Sequence, residues 1–125
     1  MKTYKALVFF AGILAITAGC STMQAKDKQT NDQTEIIMEP SLSHEECLEM
    51  TQQDLLNYSF AASKPVNFNI HHHEEGNIVY SVSKNDVSVD EGKFSPDEKQ
   101  FYCMMWTNRQ SGSVRLTYKF KAGKK

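Results

Sequence analysis

From Val114 to Lys121 every second residue is apolar: Val114, Leu116, Tyr118 and Phe120 alternate with Arg115, Thr117, Lys119 and Lys121. A period of two belongs to an extended strand, whose side chains point to opposite faces in turn, so this segment predicts a strand buried on one side and wetted on the other. The same period recurs upstream. Asp54 to Ala62 sets Leu56, Tyr58 and Phe60 against Asn57 and Ser59, and Val66 to His72 sets Val66, Phe68 and Ile70 against Asn67, Asn69 and His71. Ile78, Tyr80 and Val82 begin a further strand after the turn residues Glu75-Gly76-Asn77, and Val87 and Val89 lie in a short one. Phe101 to Thr107 is nearly continuous apolar or aromatic, which suits a central strand covered on both faces. Turns are predicted at Lys64-Pro65, Glu91-Gly92, Ser95-Pro96-Asp97 and Asn108 to Ser113. No helical period intervenes, so the expected fold is all-β, an antiparallel β-sandwich of about six to eight strands.

The chain ahead of these strands has a different character. Lys2 and Lys5 make a positive start, Ala6 to Ile16 is apolar throughout, and no acidic residue precedes Asp27. These are the zones of a secretory signal, expected as a helix, and the apolar run falls short of the ~20 residues a permanent membrane span needs. Ile16-Thr17-Ala18-Gly19-Cys20 resembles the lipobox of bacterial lipoproteins. The resemblance implies cleavage before Cys20, lipidation of that cysteine, and anchoring in a membrane by two or three acyl chains, since one chain alone holds only marginally. Ser21, in place of Asp after the cysteine, implies by the same resemblance the outer membrane, with the domain facing the periplasm. Ser21 to Glu35 carries only Met23 and Ala25 as apolar residues, too few to offset ordering entropy, so it is expected to be a flexible tether. The organisation expected is thus a signal peptide over 1–19, a lipidated tether over 20–35 and a β-domain over 36–125.

Without Lys2 and Lys5, the 14 Lys and Arg residues fall to 12 against 15 Asp and Glu. A mildly acidic domain lacks the basic face that nucleic acid requires. Lys119, Lys121, Lys124 and Lys125 form a basic end of the kind that blunts an edge strand. With Cys20 assigned to lipid, Cys47 and Cys103 remain in an oxidising compartment, where an even pair is most simply a disulfide. Two free thiols acting as metal ligands are the alternative, although no CxxC spacing supports it.

His44-Glu45-Glu46-Cys47, Gly92-Lys93-Phe94-Ser95-Pro96, Phe101-Tyr102-Cys103 and Thr107-Asn108-Arg109 together resemble the GOLD (Golgi-dynamics) β-sandwich over Ser43 to Phe120. That resemblance implies pairing of the two cysteines and a non-catalytic binding or assembly module. It carries no implication of Golgi traffic. The stretch Phe68-Asn69-Ile70-His71-His72-His73 also resembles one found in small bacterial exported proteins.

His71-His72-His73-Glu74-Glu75 is the segment most suggestive of chemistry. On a strand His71 and His73 share a face and His72 points the other way, with Val66, Phe68 and Ile70. Two imidazoles side by side, with Glu75 or a third group, would suit Cu or Zn, and thioethers from Met104 or Met105 would favour Cu(I). The structural alternative has His71 and His73 solvated and His72 partly buried. Met50, Met104, Met105 and Trp106 fit gap filling in a small core better than a soft-metal surface. No enzyme constellation is expected: nucleophile-elbow serines and a phosphate loop are missing, and the adjacent pairs Glu45-Glu46 and Glu74-Glu75 would split across two strand faces. The preferred reading is a non-catalytic envelope module that binds a protein or ligand and needs no cofactor. The alternative is a periplasmic copper or zinc binder built on His71, His73 and Glu75.

Overall fold

The computed structural model describes residues 33–125. The signal segment, Cys20 and nearly all of the expected tether lie outside the described residues. Thr34 and Glu35 already belong to the first strand. Six strands follow in chain order: β1 Thr34–Met38, β2 Ser43–Met50, β3 Asp54–Glu74, β4 Asn77–Phe94, β5 Gln100–Thr107 and β6 Val114–Lys124. The all-β, antiparallel expectation holds among the described residues, and the strands form one sheet in the order β1-β6-β3-β5-β2, with β4 also paired to β3.

One long strand lets this single sheet curl into a half-barrel. The first half of β3 pairs β6 from Asp54 to Ala62, and its second half pairs β5 from Asn67 to His71. Between them the register against β4 slips, Ala61 facing Val89 and Val66 facing Val87. Pro65 sits in that slip, where its missing N–H interrupts nothing. The expected turn at Lys64-Pro65 is therefore a bend inside a strand, and the expected turn at Glu91-Gly92 is likewise continuous β4. A tight turn does close the β3–β4 hairpin at Glu75-Gly76, with Glu74 opposite Asn77 and φ of 49° and 82° at the two corner residues. Positive φ at both corners matches the right-handed twist of the strands it joins.

The curl brings together the apolar faces read from the sequence. Leu56, Tyr58, Phe60, Val66, Phe68, Ile70, Val114, Leu116 and Tyr118 are buried with Met50, Met104 and Trp106. The indole ring of Trp106 lies 5.4 Å from Phe68 and 4.8 Å from Tyr118, bridging β3 and β6. His44 on β2 meets Tyr118 on β6 at 2.8 Å, and the Tyr118 hydroxyl donates to Glu46, so two strands that share no ladder are tied across the core. Burial, reinforced by Glu46, pushes the Tyr118 hydroxyl up to about 12. Buried Asn108 donates to the carbonyls of Met38 and Gly112, each at 2.9 Å, and fastens the β1 end to the β5–β6 loop.

Candidate functional site

A bulge decides which residues surround the histidines. Ile70 faces Val82 but His71 faces Tyr80, so Ser81 is the extra residue on β4. One extra residue reverses the alternation. Val82 stays partly buried against the core, while Tyr80 and Ile78, read from the sequence as continuing its face, are turned outward beside His71 and His73 and are 53% and 47% exposed.

On this outer face Cys47, Cys103, His71 and Tyr80 lie in one row across β2, β5, β3 and β4. Cys47 and Cys103 are joined as a disulfide. His71 is on the expected face but is only 1% exposed. Its Nδ1 donates to Asn69 Oδ1 at 2.7 Å, its ring packs 5.3 Å from His73 and 6.0 Å from Tyr80, and its Nε2 lies 3.6 Å from Glu45 Oε1. Burial lowers its pKa below the ordinary imidazole value against the opposing pull of Glu45, which leaves the ring neutral at neutral pH. His73 is exposed, and Glu75 is spent on the hairpin corner. The expected trio of His71, His73 and Glu75 does not converge. Among the described residues the set of three potential ligand atoms within 4.8 Å of one another is Glu45, Cys47 and Cys103, and both sulfurs there are committed to the disulfide. Phe101, two residues from Cys103 and on the same side of β5, extends this face as an aromatic ring 63% exposed.

The opposite face holds His72. It packs with its ring 5.2 Å from Tyr102, and Phe94 packs 5.1 Å from the same tyrosine. Only 7% of His72 is exposed, and neither ring nitrogen has a hydrogen-bond partner. A buried, unpaired polar group costs about 1–3 kcal/mol, so this position carries an unmet demand. Nε2 faces two exposed carboxylates, Glu98 Oε1 at 3.7 Å and Glu74 Oε2 at 4.0 Å. The cleft beside it, of about 480 Å³, is lined by His72, Val79, Phe94, Asp97, Glu98 and Tyr102. Tyr102 donates its hydroxyl to the Glu98 carbonyl at 3.1 Å and holds the β4–β5 loop against the sheet, while burial raises its pKa.

The expected inward direction of His72 was legible from the period of β3. Glu74, two residues on, shares that face by the same period, but Glu98 was not legible, because it comes from a loop 26 positions away whose only sequence mark is the Ser95-Pro96-Asp97 turn. Glu45 and Glu46 split across the sheet as predicted, the first toward His71 and the second toward Tyr118.

No family model matches this sequence, and no curated protein does. Among solved structures, a de novo designed double-stranded beta-helix determined by solution NMR is similar, with a TM-score of 0.42 and 12% identity, covering 71% of this chain and 97% of that one. At that score the likeness says nothing of function.

Proposed function

We propose that the chain is a non-catalytic lipoprotein of the bacterial envelope, anchored through Cys20 in the outer membrane, whose GOLD-like β-domain binds a protein partner with its outer face. The observation that carries this reading is the exposed apolar and aromatic patch of Phe101, Tyr80 and Ile78 around His73. The β4 bulge turns Tyr80 and Ile78 out on the side that Phe101 of β5 already faces, and neighbouring large apolar side chains mark an interaction surface better than scattered ones do. Polar residues border the patch: Glu49 is paired opposite Phe101, and Glu45 lies two residues along β2 from Cys47 of the disulfide. An aromatic centre within a polar border is the usual anatomy of an interface. The disulfide on the same face keeps β2 and β5 in register and the surface preformed, which lowers the ordering cost of binding. The lipobox-like end and the resemblance of Ser43 to Phe120 to GOLD modules support the anchored, non-catalytic character. The reading of a copper or zinc protein built on His71, His73 and Glu75 has less support, because His71 is enclosed with its Nδ1 bonded to Asn69, and Glu75 lies at the hairpin corner.

Two measurements in cells test the proposal. A clickable fatty acid should label the parent and leave the Cys20→Ala variant unlabelled; equal labelling removes the anchor from the reading. A photo-crosslinking amino acid placed at Phe101 should give a discrete envelope adduct, while the same group at exposed Val89, far along β4, should not. Identical adduct patterns at the two positions would refute the outer-face interface.

A further inference from the structure

We infer that the cleft on the opposite face binds a guanidinium group, with His72 Nε2 accepting one of its N–H donors and the carboxylates of Glu98 and Glu74 accepting others. This site is independent of the outer-face reading, since it uses the other side of β3. Two observations of different kinds point to it. The first is a polar group without a partner: His72 is 7% exposed, neither ring nitrogen is hydrogen-bonded, and its ring lines the cleft. A ligand that donates a hydrogen bond to Nε2 meets a demand the fold leaves open. The second is negative charge without compensation. Glu98, Asp97 and Glu74 bring three carboxylates to this end of β3, and among the described residues none of them is paired with a lysine or an arginine. Lys99, the neighbour of Glu98, is drawn away to Glu49 at 2.7 Å.

Spacing selects the shape of the cation. Nε2 lies 3.7 Å from Glu98 Oε1 and 4.0 Å from Glu74 Oε2, too far for hydrogen bonds. The three ligand atoms that gather within 4.8 Å among the described residues belong to Glu45, Cys47 and Cys103, so the oxygens of Glu74 and Glu98 stand farther apart than that, and a small spherical ion cannot draw all three atoms in. A guanidinium spreads five N–H donors over the edges of a plane, so each edge serves a different acceptor, whereas an ammonium directs three donors from one nitrogen. The walls suit a flat cation as well. Tyr102 and Phe94 bring aromatic rings, against which a guanidinium stacks, and Val79 adds apolar surface for an alkyl stem. At about 480 Å³ the cleft lies within the ~300–1,000 Å³ of small-ligand sites. The hydrogen bond from Tyr102 to the Glu98 carbonyl fixes the backbone that carries Glu98, while both glutamate side chains are exposed and part without backbone movement. The same chemistry is carried by a free alkylguanidinium and by the arginine side chain of a peptide.

The test uses the full chain in detergent, without a histidine tag, titrated near neutral pH with ethylguanidinium chloride and followed by the NMR signals of the Tyr102 and His72 rings. The parent should saturate as a single site at millimolar concentrations or below. Ethylammonium chloride should bind about fivefold more weakly or worse, because one nitrogen cannot serve acceptors so far apart. Glu98→Gln and His72→Gln should each weaken ethylguanidinium binding about fivefold or more, whereas His73→Ala should leave affinity within about twofold. Glu98→Gln alters an exposed side chain, so it remains informative if His72→Gln fails to fold. An arginine peptide with blocked ends, titrated in parallel, separates the sources: tighter binding than ethylguanidinium assigns the site to a peptide arginine, weaker binding to a free small molecule, and either order supports the site. Shifts that do not saturate, ethylammonium binding as tightly as ethylguanidinium, Glu98→Gln binding like the parent, or loss of binding in His73→Ala would each overturn the assignment.

Discussion

Gly92 shows how a single hydrogen in place of a side chain shapes this core. It lies directly opposite Tyr58 in the β3–β4 ladder, and a Cβ there would sit 2.6 Å from the tyrosine oxygen and 2.8 Å from Cζ. The ring therefore lies across the glycine, where any side chain would displace it. Gly92→Ala is expected to lower stability by about 1–3 kcal/mol through overpacking. Gly123→Ala, with nothing within 4 Å of its Cβ, should stay within about 0.5 kcal/mol. Urea denaturation of both variants checks this, and equal losses would show that the contact with Tyr58 is not the cause. In the sequence alone, Glu91-Gly92 reads as a turn. Glycine serves turns and close approaches alike, and only the partner strand distinguishes them. The same limit applies to His72, whose direction follows from period two but whose contact with Glu98 depends on where a loop returns.

At the scale of elements, the strand faces of β3 and β6 were legible because one side of each is covered, and alternation is the physical record of that covering. Strand lengths and the outer face were less so. The Pro65 bend, the slip that places Asp86 at φ 54°, and the extra Ser81 all occur inside β3 and β4. Each changes register without the cluster of turn residues that ends a strand. The ends themselves are clamped by charge. Asp54, at the start of β3, accepts hydrogen bonds from Lys124 Nζ at 2.6 Å, the Thr51 amide at 2.7 Å and the Thr51 hydroxyl at 2.9 Å. Lys124 first, and then Thr51, lower its pKa to about 2. A carboxyl whose native pKa lies below its unfolded value adds stability above that unfolded value, and the contribution disappears as pH falls through the native one. The parent should therefore lose more stability than Asp54→Asn on going from about pH 5 to about pH 2. Urea midpoints that fall in parallel for the two proteins would exclude Asp54 as a source of acid sensitivity.

For the whole molecule, closure depends on the edge strands β1 and β2, which among the described residues pair on one side only, as β4 does: β1 with β6 and β2 with β5. The core polar tie of His44, Tyr118 and Glu46 holds β2 from within, and the Cys47–Cys103 disulfide holds it from the outer face. That bond joins positions 56 residues apart in sequence, which the chain-entropy account values at about 4 kcal/mol. The folded portion buries one modest core, and domains of such size keep roughly 5–15 kcal/mol in all. Removing the bond should therefore cost a large share of stability and loosen β2 first, taking the outer face with it. The Cys47→Ala/Cys103→Ala variant is expected to melt about 10 °C or more below the parent, because a domain this small shifts by roughly 4–8 °C for each kcal/mol. Its partner crosslinking from position 101 should weaken as well, since Phe101 pairs with Glu49 of β2. A variant that melts with the parent, together with two titratable thiols in the folded parent, would show that the hydrogen-bonded ladder and the polar tie hold β2 without the disulfide.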